Sequence, residues 1–397
     1  MDQNPDQAGT PAPTSLRTLV REWGRIGCLG FGGPPTHIAM FRELCVDRRG
    51  WITPHDFEDA IAACNLLPGP ASTQLSIFCA WRLRGRGGAL VGGLAFIIPG
   101  LIAVLALSAL FLASSPPRWV QAAGAGAGAA VAAVAVHAAV GLLPASWRRA
   151  RTVSRLRWPL YLAAGIAGAA TIGPWLVVLL LGCGLVEVTA RAAPSGRGGV
   201  TRPSALPPLP ALAAGTAASG GLLALAWVAL KVGLLSYGGG FVIIPLMRSD
   251  AVDHYHWMTA SQFLTAVSLG QVTPGPVVHT VAAVGYAAGG LGGGLFAATV
   301  AFTPSFLFIV GGGPSFDRLR HNPRMRAFLD GAGPAALGAI LGSAIPLARA
   351  LHEPWQFAVL AGAALLLLAA RRGVVLTLVA AAIAGVLAVA AGAPLPA

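Results

Sequence analysis

The chain has 397 residues, 55% of them hydrophobic and only 10% charged, whereas an ordinary soluble domain is about a quarter charged. A water-facing surface cannot be built from that inventory, so lipid is the expected solvent of the fold. The formal charge of +13 sits in arginine groups between apolar runs, not on one polar face with stacking aromatics, which argues against nucleic acid as a partner.

The first 14 residues are polar and Pro-containing, with no basic stretch leading into an apolar one. They read as a cytoplasmic tail without a cleaved signal peptide. A first repeat unit over 15–190 then carries apolar segments at about 15–33, 56–80, 87–114, 119–145 and 158–190, the last interrupted at Thr171-Ile172-Gly173-Pro174. Residues 191–210, rich in Pro, Gly and Arg, read as a linker. A second unit over 211–397 repeats the pattern at about 211–239, 260–288, 290–313, 325–349 and 354–393, interrupted at Arg371-Arg372-Gly373. The expected fold is all-α, with ten to twelve membrane segments depending on whether each final region counts once or twice.

The two units are copies. Ile26-Gly27-Cys28-Leu29-Gly30-Phe31-Gly32-Gly33 returns 206 residues later as Val232-Gly233-Leu234-Leu235-Ser236-Tyr237-Gly238-Gly239. At the same offset Trp51 maps to Trp257, Phe57 to Phe263, Pro68-Gly69-Pro70 to Pro274-Gly275-Pro276 and Phe96 to Phe302. The arginine bias swaps sides between them. Arg82, Arg84 and Arg86 follow the second segment of the first unit, where the second unit has no charge from Ala287 to Gly294. Arg318, Arg320, Arg324 and Arg326 follow the third segment of the second unit, where the first is nearly neutral. That swap predicts an inverted repeat about an axis in the membrane plane; Arg191, Arg197 and Arg202 of the linker fit it poorly.

Gly and Pro break the apolar segments at matched places: Gly32-Gly33-Pro34 against Gly238-Gly239-Gly240, and Pro68-Gly69-Pro70 against Pro274-Gly275-Pro276. Backbone freed from a helix inside hydrocarbon is tolerated only where it faces protein or water. One reading is kinked but packed helices; the other is a substrate site lined by breaks at the repeat interface. A helix restarting after each break aims free N–H groups and partial positive charge at the gap, which suits an anion. Polar side chains flank the gaps, Asn65 and Gln271 at equivalent positions, with Gln74 and Thr273 nearby; the alternative for each is tying helix to helix, the commoner role of a polar residue in a bundle. Lys231, the single lysine, lies in an apolar run, and its counterpart is Arg25. With no carboxylate evident beside them in those segments, they read as cations awaiting an anion, the alternative being snorkelling to the interface.

Cys28, Cys45, Cys64, Cys79 and Cys183 show no metal-ligand spacing. The lone lysine is followed by Val232, so no phosphate-binding loop exists, and no hydrolase motif is present. Neither an enzyme nor a cofactor is expected.

Together, Phe31-Gly32-Gly33-Pro34 with His37-Ile38-Ala39, Leu67-Pro68-Gly69-Pro70 with Gln74, Ser236-Tyr237-Gly238-Gly239-Gly240 and Gly270-Gln271-Val272-Thr273-Pro274-Gly275-Pro276 resemble the two-domain, long-chain form of the chromate ion transporter family. The likeness covers nearly the whole chain after the tail. It implies secondary active efflux of chromate across a bacterial inner membrane, giving chromate resistance, with sulfate as the structural mimic. Asn65 stands where the family pattern usually has Gln, and Thr265 where an acidic residue is common.

Overall fold

The computed structural model describes residues 14–65, 67–150, 155–171, 175–192, 221–236, 241–312 and 322–396. Residues 1–13 of the tail, most of the linker, Ile172–Pro174 and the Tyr237–Gly240 run, with Gly238, Gly239 and Gly240, lie outside them. Among the described residues every regular element is a helix.

Helix α1 (Leu16–Leu29) starts on the Ser15 hydroxyl, which accepts the Thr18 N–H at 3.1 Å. Its 14 residues span about 21 Å at 1.5 Å each, short of the ~30 Å hydrocarbon core. The chain turns through Gly32 and Gly33, both at positive φ, and returns as α2 (Pro34–Arg42), which runs on into a π-helical turn at Glu43–Arg48. The Trp23 ring of α1 lies 5.4 Å from Phe41 and 6.4 Å from Trp51. Arg48 and Arg49 each reach Glu22 at 2.8 Å. So α1 and α2 form a re-entrant hairpin, glycine at its tip and ions across its base. The second unit repeats it residue for residue at the base: α9 (Leu222–Leu235), α10 (Ile243–Arg248) and a π turn at Ser249–His254.

Helix α3 (Pro54–Cys64) stops at the first Pro-Gly-Pro, after which α4 (Ala71–Phe111) begins. Arg84 and Gly85 leave helical geometry, Gly85 at φ +59, and Gly88 and Gly92 pack on Ala80. The long helix is therefore two antiparallel limbs, 71–83 and 86–111. Helices α5 (Arg118–Ala129), α6 (Val131–Ala150), α7 (Arg157–Thr171) and α8 (Leu176–Ala192) complete the unit. In the second unit α11 (Ala260–Val272) leads through the second Pro-Gly-Pro and a 3₁₀ turn, Val277–His279, into α12 (Thr280–Gly312), which folds back at Gly289–Gly290. Then come α13 (Pro323–Arg349), α14 (Pro354–Ala364) with a π turn at Leu365–Ala369, and α15 (Val374–Ala390). Each final region is thus two helices.

The fold-backs differ by 205 residues, not 206. Gly27 packs on the Phe96 carbonyl, and Gly233 on that of Ala301, so Phe96 answers to Ala301 and the expected match to Phe302 is one residue out. The 3₁₀ turn explains the slip: it rises about 2.0 Å per residue against 1.5 Å for the α-helix that opens α4, and covers the same climb with fewer residues.

The limb 86–111 of α4 crosses the limb 291–312 of α12. Gly93 meets Phe306 near the start of one and the end of the other, while Leu105 meets Gly294 in the reverse sense. Equivalent helices run antiparallel, as an inverted repeat requires. The units also exchange partners. Gly126 of α5 packs on Ala381 and Gly385 of α15, and Gly331 of α13, 205 residues on, packs on Cys183 of α8; small residues one turn apart bring the backbones together.

Among the described residues, four helical stretches are long and apolar enough to cross a membrane: Ala71–Phe111, Arg118–Arg148, Val277–Gly312 and Pro323–Arg349. Leu90, Leu94, Ile98 and Ile102 form an exposed stripe at helical spacing on α4, a face that lipid covers and water would not.

Candidate functional site

Each Pro-Gly-Pro break docks on the hairpin of the other unit. The Gly275 N–H donates to the Gly30 carbonyl at 2.9 Å, and the same oxygen accepts Nε2–H of His37 at 2.8 Å. Across the pseudo-axis, Gly69 lies against the carbonyl of Gly233. Gly69 has φ +116 and Gly275 φ +89. A Cβ on Gly69 would stand 2.8 Å from Gln74 Nε2 and 3.0 Å from that carbonyl, so both torsion and space demand glycine there.

Polar atoms without hydrogen-bond partners gather at these contacts. By the first break are the hydroxyls of Thr73, Ser76 and Ser305 and Oε1 of Gln74, whose Nε2 is spent on the Pro68 carbonyl at 2.6 Å. By the second are Nδ1 of His37, Nε2 of Gln271 and the ring nitrogens of His279, which have the carbonyls of Ile97 and Pro274 beside them but outside good hydrogen-bond geometry. All but Gln271 are essentially inaccessible. Buried polar groups are nearly always bonded, so this concentration marks groups kept for a polar occupant. In the slipped register Gln74 answers to His279, and Ser305 to Gly100, which presses on Pro274 and the His279 ring. The two half-sites share a backbone plan and differ in chemistry: amide and hydroxyl at one, imidazole at the other.

Of the two expected cations, one is exposed and the other is paired. Arg25 is exposed on α1. Lys231 donates to Asp250 at 2.5 Å with side chains 13% and 9% exposed, so the expectation of a cation lacking a carboxylate is overturned: the partner lies 19 residues on, past the break, in the π turn of the same hairpin. The first hairpin has the same clasp in reverse polarity, Glu22 on α1 and Arg48 and Arg49 beyond α2. Asn65 is exposed at the end of α3, while its counterpart Gln271 is buried. Gly32, Gly33 and Pro34 form the first tip, where Pro34 and Pro35 deprive α2 of two N–H donors. Thr273 turns its hydroxyl back to the Leu269 carbonyl at 2.9 Å.

Sequence reasoning missed Ser305, an unremarkable residue until the fold sets its hydroxyl against Gly69. It also missed Glu187, 1% exposed, which holds Arg157 and Arg191 at 2.9 Å each and accepts the Tyr161 hydroxyl at 3.0 Å. Arg191 continues to Asp330 at 2.7 Å, tying α7 and α8 to α13 of the other unit. A lone carboxylate in an apolar segment was the available signal.

The model of the family described as "Chromate transporter" matches residues 17–188 and 223–386, one match per unit. The "Chromate transport protein" of Cupriavidus metallidurans is 34% identical over 85% of this chain and 84% of its own length. The "Probable chromate transport protein" of Synechococcus elongatus is 31% identical over 85% and 86%. The "Chromate transport protein" of Pseudomonas aeruginosa is 29% identical over 86% and 83%. No solved structure matches the chain. With both units covered, the chain belongs to the chromate transporter family, as a multi-pass membrane protein that carries the family's unit twice.

Proposed function

We propose that the protein exports chromate across the inner membrane of a bacterium as a secondary active carrier, conferring chromate resistance, and that sulfate competes as a structural mimic. The observation that carries this reading is the crossing itself. Two broken helices and two re-entrant hairpins from oppositely oriented units meet there, surrounded by buried polar atoms without partners. Discontinuous helices at a repeat interface are where secondary transporters hold substrate.

The substrate site comprises Gly32–Pro34, Pro68–Pro70, Gln74, Gln271 and Thr273–Pro276, with Gly238, Gly239 and Gly240 as counterpart of the first tip. A tetrahedral dianion takes donors from several directions; the hydroxyls of Thr73 and Ser305 and the Gln271 amide supply them. Because the units are inverted copies, exchange of conformation between the hairpins turns an inward-open form into an outward-open one. The test is radiolabelled chromate uptake into inverted vesicles bearing the protein. Accumulation above the external concentration, reduced by excess sulfate, is expected. Equilibration without accumulation identifies a channel, and no flux above protein-free vesicles refutes the reading.

A further inference from the structure

A dianion taken out of water needs compensating charge. Among the described residues, the cations near the crossing are committed elsewhere. Arg25 is exposed on α1, Lys231 is neutralised by Asp250, and Arg48 and Arg49 by Glu22. The titratable groups at the crossing are two imidazoles.

His279 sits in the 3₁₀ turn after the second break, its ring 5.4 Å from that of Phe302 and lodged beside Gly100 and Gly275. His37 stands on the other side of the Gly30–Gly275 hydrogen bond, its ring 5.1 Å from Phe96. Round His279 stand the carbonyls of Ile97 and Pro274, the glycines Gly100 and Gly275 and the Phe302 ring, and among the described residues His37 is the titratable group that acts on it. His37 spends its Nε2–H on Gly30, so Nδ1 is its proton acceptor; the His279 ring has the carbonyls of Ile97 and Pro274 beside it without a fully formed hydrogen bond, acceptors that an imidazolium would meet. An imidazolium here is costly alone and compensated beside an oxyanion.

We propose that His279, with His37 beside it, takes up a proton from water as the oxyanion binds, so that proton and oxyanion occupy the crossing together and cross the membrane together. This rests on the transport reading and names its coupling ion. One proton on a dianion leaves a net charge of −1, so an inside-negative potential still drives the complex outward while an inward proton gradient opposes it. Binding linked to one proton tightens about tenfold for each unit that pH falls across the range of uptake.

The experiment uses the full chain in proteoliposomes, the potential clamped at zero with potassium and valinomycin, and radiolabelled chromate above neutral pH, where the free ion is the dianion. Acidifying the outside relative to the lumen is expected to raise chromate accumulation severalfold over equal pH, and His279→Gln to remove that response. As a measure needing no variant, chromate added to weakly buffered, detergent-solubilised protein is expected to withdraw about one proton per bound ion. Accumulation in the parental protein that ignores the gradient, binding without proton uptake, or a His279→Gln/His37→Gln protein that answers the gradient as the parent does, overturns the proposal while the transport reading stands. Chromate flux no greater than in protein-free vesicles under every condition sinks the transport reading, and this one with it.

Discussion

Replacing Lys231 with Gln distinguishes a clasp from a ligand. The Lys231 and Asp250 side chains are 13% and 9% exposed and 2.5 Å apart, so loss of the ammonium strands a carboxylate away from water. Breaking a buried pair from one side costs about 3–5 kcal/mol, roughly two to three and a half powers of ten in the folding equilibrium. That is a large share of a typical stability. Lys231→Gln is therefore expected to lower both the amount of protein in the membrane and its melting temperature in detergent. Adding Asp250→Asn removes the stranded charge, and the double variant is expected to regain most of both. Arg25→Gln, at an exposed position, is expected to change stability by less than about 0.5 kcal/mol. The assay pairs melting in detergent with chromate export per unit of protein. If Lys231→Gln folds at the parental level, loses export, and is not rescued by Asp250→Asn, the ammonium serves the anion and the clasp reading is wrong.

Gly275→Ala places a Cβ at φ +89 and 3.0 Å from the His279 ring; about 1–3 kcal/mol of strain and slower chromate flux are expected, against no change in either for Gly182→Ala, which has open space. Glu187→Gln leaves Arg157 and Arg191 facing a neutral amide and is expected to lower the melting temperature well beyond Tyr161→Phe, which removes one hydrogen bond worth about 1 kcal/mol. Cysteines placed at Arg86 and Leu291, equivalent positions just after the two fold-backs, are expected to react with impermeant maleimide from opposite sides of the membrane once exposed Cys28 is replaced; labelling from one side contradicts the inversion.

The duplication, the three breaks within the described residues and the inversion were legible, because Gly, Pro and Arg act through local backbone chemistry and loop charge. Hairpins were not distinguishable from spans. Residues 15–33 read as one apolar segment, and only the return of Phe41 to Trp23 shows that α1 turns back. Nor does a sequence show whether the turn after Pro-Gly-Pro is α or 3₁₀. That choice moves everything downstream by one position, so that His279 becomes the counterpart of Gln74 and Ser305 that of Gly100.

The most instructive failure concerns the cations. Arg25 and Lys231 share a place in the repeat, which argued for a shared role, yet one is exposed and the other belongs to a clasp. What the two units have in common is the clasp between the first helix of the hairpin and the π turn that ends it. The first unit puts the carboxylate on the helix and the second puts it on the turn. A ligand site for an anion would fix the sign of that charge in both copies; a brace across the base of a hairpin fixes only that opposite signs meet. The reversal therefore assigns these ions to holding the bases of the hairpins, and leaves the two Pro-Gly-Pro breaks, where Gly275 meets Gly30 and Gly69 meets Gly233, as the part free to rearrange around a substrate.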